Sequence, residues 1–181
     1  MKKTIFLLFL ATLFYATASA QAMVSKFLGP NSKYAQLGWG VFAYYDFPLR
    51  NANESIRLEL LDFAFYPSKN SDSNFVIGYV SIKAGYKYVF SETNAGFYIE
   101  PQVGWCRVVN ANNTETLPTD AKDGLALALE AGYSLAVGRR DNTFNFGLKY
   151  ESDLAGSGYT ANSIGFRVSF SYHLFRRKDD Y

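Results

Sequence analysis

From residue 124 to residue 137 the chain alternates without a break. Leu125, Leu127, Leu129, Ala131, Tyr133, Leu135 and Val137 fall on one side, with Gly124, Ala126, Ala128, Glu130, Gly132, Ser134 and Ala136 on the other. Period two belongs to the β-strand, whose successive side chains point to opposite faces. A strand this long, with one apolar and one small or polar face, must separate two environments. Residues 161–175 repeat the pattern, with Ile164, Phe166, Val168, Phe170, Tyr172 and Leu174 opposite Ser163, Gly165, Arg167, Ser169, Ser171 and His173. Segments 37–47, 56–66, 75–90, 96–109 and 142–152 share the rhythm. The pattern in 56–66 slips near Leu60-Leu61, which predicts a bulge.

The connections alternate between tight and long. Residues 91–95 and 139–141 are short, 110–123 is long and polar, and 153–160 is rich in Gly and Ser. Membrane barrels have short periplasmic turns and longer external loops. With the tight turns in the periplasm, the last strand runs downward, and so does 37–47. A further upward strand is then required before it, and 22–28 is the candidate. The count becomes eight, an even number, as single-chain bacterial barrels have.

The first 20 residues read as a secretory signal. Lys2 and Lys3 precede a short apolar run, and Ala18-Ser19-Ala20 gives the small-x-small cleavage pattern. The run is too short to span a bilayer as a helix. Removing this segment leaves 161 of 181 residues, with 16 basic against 16 acidic side chains. That balance argues against a nucleic-acid partner, which needs a basic footprint. Cys106 and His173 are each the only residue of their kind, so neither an internal disulfide nor a multi-histidine metal site is expected.

Volume decides which face is inside. An eight-stranded barrel has an interior just wide enough for side chains to fill. The apolar face carries Trp39, Phe97, Trp105, Tyr133, Phe144, Phe146, Tyr150, Phe166, Phe170 and Tyr172, too much bulk for that lumen. The other face holds nine of the 14 glycines: Gly38, Gly40, Gly85, Gly104, Gly124, Gly132, Gly138, Gly147 and Gly165. Between them lie Lys83, Lys87, Glu100, Arg107, Glu130, Lys149, Glu151 and Arg167. Polar inside and aromatic outside is the arrangement of a membrane barrel, not of a soluble one.

The signal, the strand rhythm, the stretch 97–105 (Phe-Tyr-Ile-Glu-Pro-Gln-Val-Gly-Trp) and the aromatic final strand 166–175 resemble the small outer-membrane β-barrel proteins of the OmpA/OmpX, porin-like type. The resemblance covers nearly all of residues 21–175. It implies an all-β, up-and-down transmembrane barrel in the outer membrane of a Gram-negative cell, flanked by a signal at 1–20 and a charged periplasmic tail at 176–181. It further implies contact with outer-membrane lipid and lipopolysaccharide, and passage through periplasmic chaperones and the barrel-assembly machinery, which reads a C-terminal strand of this kind. Many such proteins end on the aromatic residue, whereas here Arg176-Arg177-Lys178-Asp179-Asp180-Tyr181 follows.

No catalytic, cofactor-binding or metal site is expected. Glu100, Glu130 and Glu151 share the inner face and invite an acid–base reading. Hairpin pairing sets Glu130 near Lys149 and Glu100 near Lys87, so an interior ion-pair lattice explains them without a substrate. His173 shares a face with Ser171 and Ser169. Residues two apart on a strand project in parallel about 6–7 Å apart, beyond the reach of nucleophile activation. Cys106 reads as a small buried residue. Arg139-Arg140 and the 176–178 cluster read as a solvated turn and tail. The expected function is a non-enzymatic structural or surface-interaction role through external loops, with 110–123 the candidate ligand contact. A lipid A or phospholipid hydrolase or acyltransferase and a small-solute channel are the competing functions.

Overall fold

The computed structural model describes residues 21–51, 53–69, 76–93, 95–110, 121–137, 142–155 and 159–171. The expected signal (1–20) and tail (176–181) lie outside these residues, as do Phe75, Gly138, Arg139, Arg140 and His173. The described chain forms eight strands: β1 (Gln21–Leu28), β2 (Gly38–Pro48), β3 (Glu54–Pro67), β4 (Val76–Val89), β5 (Gly96–Asn110), β6 (Lys122–Ala136), β7 (Thr143–Ala155) and β8 (Tyr159–Ser171). Each pairs antiparallel with the next, and β8 closes on β1 from Gln21↔Ser169 to Leu28↔Asn162. Among the described residues closure leaves the end of β1, Lys26–Leu28, unpaired on its β2 side, while most of the wall satisfies its backbone hydrogen bonds internally.

One end is built from tight turns. Leu49 N–H donates to Glu54 C=O at 3.0 Å, Phe90 to Phe97 at 2.7 Å and Val137 to Asn142 at 2.9 Å. At the opposite, loop end, β1 passes into a 3-10 helix, Gly29–Lys33, which Gly29 enters with φ +68°. The chain then lies along β3, with Gln36 N–H donating to Pro67 C=O at 2.8 Å.

The predicted bulge is present. On β3, Arg57 and Glu59 are buried, then Asp62, Ala64 and Tyr66, so the inward parity changes from odd to even across Leu60-Leu61. The register against β4 shifts at the same place, between Glu59 and Asp62. The extra residue turns an acid inward on both sides of the slip. Two boundaries differ from expectation. Asp153, Leu154 and Ala155 pair with Ala161, Thr160 and Tyr159, so strand extends into the segment read as a 153–160 loop. Asn110, Lys122 and Asp123 likewise belong to strands rather than to the 110–123 loop. On β7 and β8 the inward positions here include Asp153, Ala155 and Ala161, all buried, with Ala161 opposite Asp153.

The facing is polar in, apolar out. Arg57, Glu59, Asp62, Lys83, Glu100 and Arg167 are at most 1% exposed. Leu125, Leu127, Leu129, Leu135, Leu148 and Phe166 expose 41–54%. A soluble barrel would show the reverse. Aromatic rings collect on the outer wall towards the turn end, with Tyr45–Phe47, Tyr88–Phe90, Phe97–Tyr133 and Phe144–Phe170 centroids 4.6–5.1 Å apart. Such girdles mark where a membrane barrel meets the interface.

Candidate functional site

Among the described residues the interior holds a dense cluster of charged side chains, and two arginines organise it. Arg57 makes a two-pronged contact to Asp46 (Nε–Oδ1 2.6 Å, Nη2–Oδ2 2.8 Å) and meets Glu100 Oε2 with Nη1 at 2.9 Å. Its guanidinium carbon lies 3.6 Å from the Tyr44 ring centroid. Arg167 bridges Glu59 (2.5 Å) and Glu130 (2.8 Å) while lying 3.5 Å from the Phe42 ring centroid. The planar guanidinium suits both duties, since it forks to carboxylates and stacks on rings.

Nearer the loop end two lysines share three acids. Lys83 Nζ reaches Asp62 and Glu151 at 2.8 Å each and Glu59 at 3.1 Å. Lys149 Nζ pairs with Asp62, with Glu151 at 2.5 Å and with Glu59 at 3.4 Å. Nearer the turn end neutral groups join the network. Lys87 donates to Ser134 and Asn145 at 3.0 Å, and Tyr44 joins Ser169 and Ser171 at 2.9 and 2.6 Å. Glycine makes the room. Gly132 and Gly147 face each other across β6 and β7, and a Cβ on either would stand 2.6 Å from Tyr98 Oη. That hydroxyl donates to Glu130 at 2.6 Å.

Several expected pairings are replaced. Glu130 and Lys149 are register partners, yet Glu130 binds Arg167 and Tyr98 while Lys149 reaches across to β3. Glu100 binds Arg57 rather than Lys87. In a narrow lumen a long side chain can touch several strands, so register does not choose its partner. Arg107 is not in the lumen at all. It lies on the outward parity of β5, 47% exposed, 3.5 Å from Asp123. Arg57, Glu59, Asp62 and Asp46 escaped the sequence reading, although Arg57-x-Glu59 followed by Asp62-x-Ala64-x-Tyr66 is the signature of the slip. The Ser169 and Ser171 hydroxyls are occupied by Tyr44 and Asn145, and Cys106 is fully buried.

Among the described residues the charged side chains fill the lumen closely. A cavity between Tyr66, Tyr79, Lys149, Glu151 and Arg167 measures about 20 Å³, room for about one water. Among the described residues no cluster of three or more His, Cys, Asp or Glu is placed to hold a metal ion.

No protein-family model matches the sequence, and no curated protein matches it. Solved structures do match. Neisserial surface protein A (NspA) superposes with a TM-score of 0.60 at 14% identity, covering 85% of this chain and 95% of its own. The outer membrane enzyme PagL gives 0.59 at 11%, covering 85% and 99%. Ail, the attachment invasion locus protein of Yersinia pestis, solved with the heparin analogue sucrose octasulfate, gives 0.54 at 12%, covering 85% and 96%. This chain has the fold of the small outer-membrane barrels. One scaffold thus carries surface proteins and an enzyme, and function must be argued from the site.

Proposed function

We propose that this protein is a non-enzymatic barrel of the bacterial outer membrane that works as a surface-interaction protein through its loop end. The observation that carries this reading is the filled lumen. A solute path would have to open the Lys83–Lys149–Asp62–Glu59 lattice, and breaking one buried pair of that kind costs about 3–5 kcal/mol. With the interior occupied, the surfaces left for partners are the wall and the loop end. Residues 110–123 remain the first candidate for a ligand, with lipopolysaccharide around the barrel and the assembly machinery and its chaperones as partners in biogenesis.

PagL's likeness keeps a lipid-modifying enzyme as the competing reading. Such an enzyme needs a nucleophile and base within hydrogen-bond reach on the lipid-facing wall. Among the described residues that wall offers Ser152 and Thr160, and the chain's one histidine, His173, lies outside them. The test replaces residues 112–121 with a short Gly/Ser linker. The variant is expected to stay heat-modifiable on gels and to lose capture of surface ligands, while the intact protein leaves lipid A and phospholipid acyl chains uncut. Acyl release would establish the enzyme instead, and undiminished capture would exonerate the loop.

A further inference from the structure

Ser25 and Gly38 are the last register pair between β1 and β2 at the loop end. Beyond them the two strands part. β1 continues through Lys26, Phe27 and Leu28 against β8 alone, as far as Leu28↔Asn162. The chain that leads into β2 lies along β3 instead, through Gln36 N–H donating to Pro67 C=O at 2.8 Å and the Ala35↔Ser68 bridge. Other seams keep their ladder to the strand ends, as at Pro67↔Val76, Ile77↔Asn110 and Ala155↔Tyr159. The wall therefore has a cleft at its loop-end rim, between residues 26–28 and 35–37. Its outer lips, Leu28 and Leu37, are exposed.

Side chains close this cleft from within. Phe27 points inward and stacks on the buried Tyr66, with ring centroids 4.1 Å apart. The Tyr66 hydroxyl is tied to Ser25 Oγ at 2.7 Å. Gly38 gives the ring its place, because a Cβ there would run into Tyr66 Cδ1. One ring stack and one hydrogen bond thus stand where backbone pairing stands in the other seams. Local opening is cheapest where the fewest contacts must break.

Behind the stack lies the cavity of about 20 Å³, with Ser25, Tyr66, Ser163, Lys149, Glu151 and Arg167 in its lining. A space of that size with several polar partners holds one water. One of the lining side chains also lacks an acceptor. Arg167 Nη1 and Nη2 are taken by Glu130 and Glu59, but its Nε is buried and meets no acceptor among the described residues. Buried donors without a protein partner are ordinarily met by ordered water.

We propose that this cavity is a binding site for a single water, and that the Phe27–Tyr66 stack is the side gate through which that water exchanges at the loop-end rim. The gate passes nothing larger, because the ion pairs of Lys83 and Lys149 around the cavity still fill the lumen. It supplies the buried lattice with a hydration partner without making the barrel a channel. The inference goes beyond the surface-interaction reading and does not depend on it.

Hydroxyl-radical footprinting of the barrel in nanodiscs, with a jump into H₂¹⁸O before the pulse, tests both halves. A buried side chain beside a bound water takes up that water's oxygen, and the ¹⁸O share against delay gives the exchange rate. Tyr66 and Tyr98 are both 2% exposed, but only Tyr66 lines the cavity, as does the buried Met23. Tyr66 and Met23 are expected to be labelled well above Tyr98. Phe27→Ala removes half of the gate and should speed ¹⁸O exchange at Met23 several-fold. Val24→Cys with Trp39→Cys places two thiols on outward register partners one rung below the cleft, within reach of a disulfide. The oxidised staple should slow the exchange and its reduction should restore it, so the reduced form is its own folding control if Phe27→Ala fails to insert. Labelling of wild-type Tyr66 and Met23 no stronger than that of Tyr98 overturns the water site. Exchange that is equally fast with the staple oxidised and reduced overturns the side gate, since the water would then enter through the mouth.

Discussion

Arg167 and Arg107 carry the same side chain on the same kind of strand, and they live in opposite surroundings. Arg167 points inward, 1% exposed, held by Glu59 and Glu130 against the Phe42 ring. Arg107 points outward near the loop end, half exposed, with one loose partner in Asp123. A composition count treats them as equal. The strand's pleat does not, because one step along it exchanges a desolvated lattice for a wet rim. The consequence of removing a charge in this fold is therefore set by parity and depth.

The largest effect should come from Arg167→Met. It leaves Glu59 and Glu130 desolvated without their shared cation, a loss of about 3–5 kcal/mol. Unfolding in urea from lipid vesicles measures it. A change below about 1 kcal/mol would mean that the lattice rearranges around the gap, and burial would then not be what separates the two arginines.

Next in size is Leu129→Arg, which places the guanidinium on the outward parity at mid-wall instead of at the rim. Leu129 lies midway along β6 and is 46% exposed, so the new charge faces hydrocarbon at a cost of about 2–4 kcal/mol. If the variant folds into vesicles as readily as wild type, the wall does not face lipid and the inside–outside assignment is reversed.

How much of this contrast was readable beforehand differs between its two members. The inward place of Arg167 followed from the unbroken alternation of the last strand. Arg107 is expected among the lumen residues, yet Glu100, Gln102, Gly104 and Cys106 take the opposite parity on the same strand. Counting strictly from Glu100 places it outside. The slip at Leu60-Leu61 was visible as a broken pattern, but the inward arrival of both Glu59 and Asp62 follows only once the bulge is in place. The partners inside the lumen were not readable at all. Lys149 joins Asp62 across 87 positions of sequence because both project into one narrow space, and local spacing carries no trace of that.

A third prediction probes this directly with double-mutant cycles. Lys149 with Asp62 should show a coupling of about 1–3 kcal/mol, since the two form an ion pair. Lys149 with Glu130, opposite in register but bound elsewhere, should couple less. The reverse order would restore hairpin register as the rule for pairing inside the barrel.

The smallest effect belongs to the rim. Arg107→Ala removes an exposed cation from a 3.5 Å contact with Asp123, and both side chains are about half exposed. Water and salt already screen such a pair, so the loss should stay under about 1 kcal/mol and shrink further at high ionic strength. Asp123 is not stranded, because the solvent that screened the pair can hydrate its carboxylate. The same urea titration used for Arg167→Met provides the scale, run at low and high salt. A loss matching that of Arg167→Met would place Arg107 in a desolvated site. A small loss that salt abolishes would show that one step of the pleat is enough to turn a structural charge into a dispensable one.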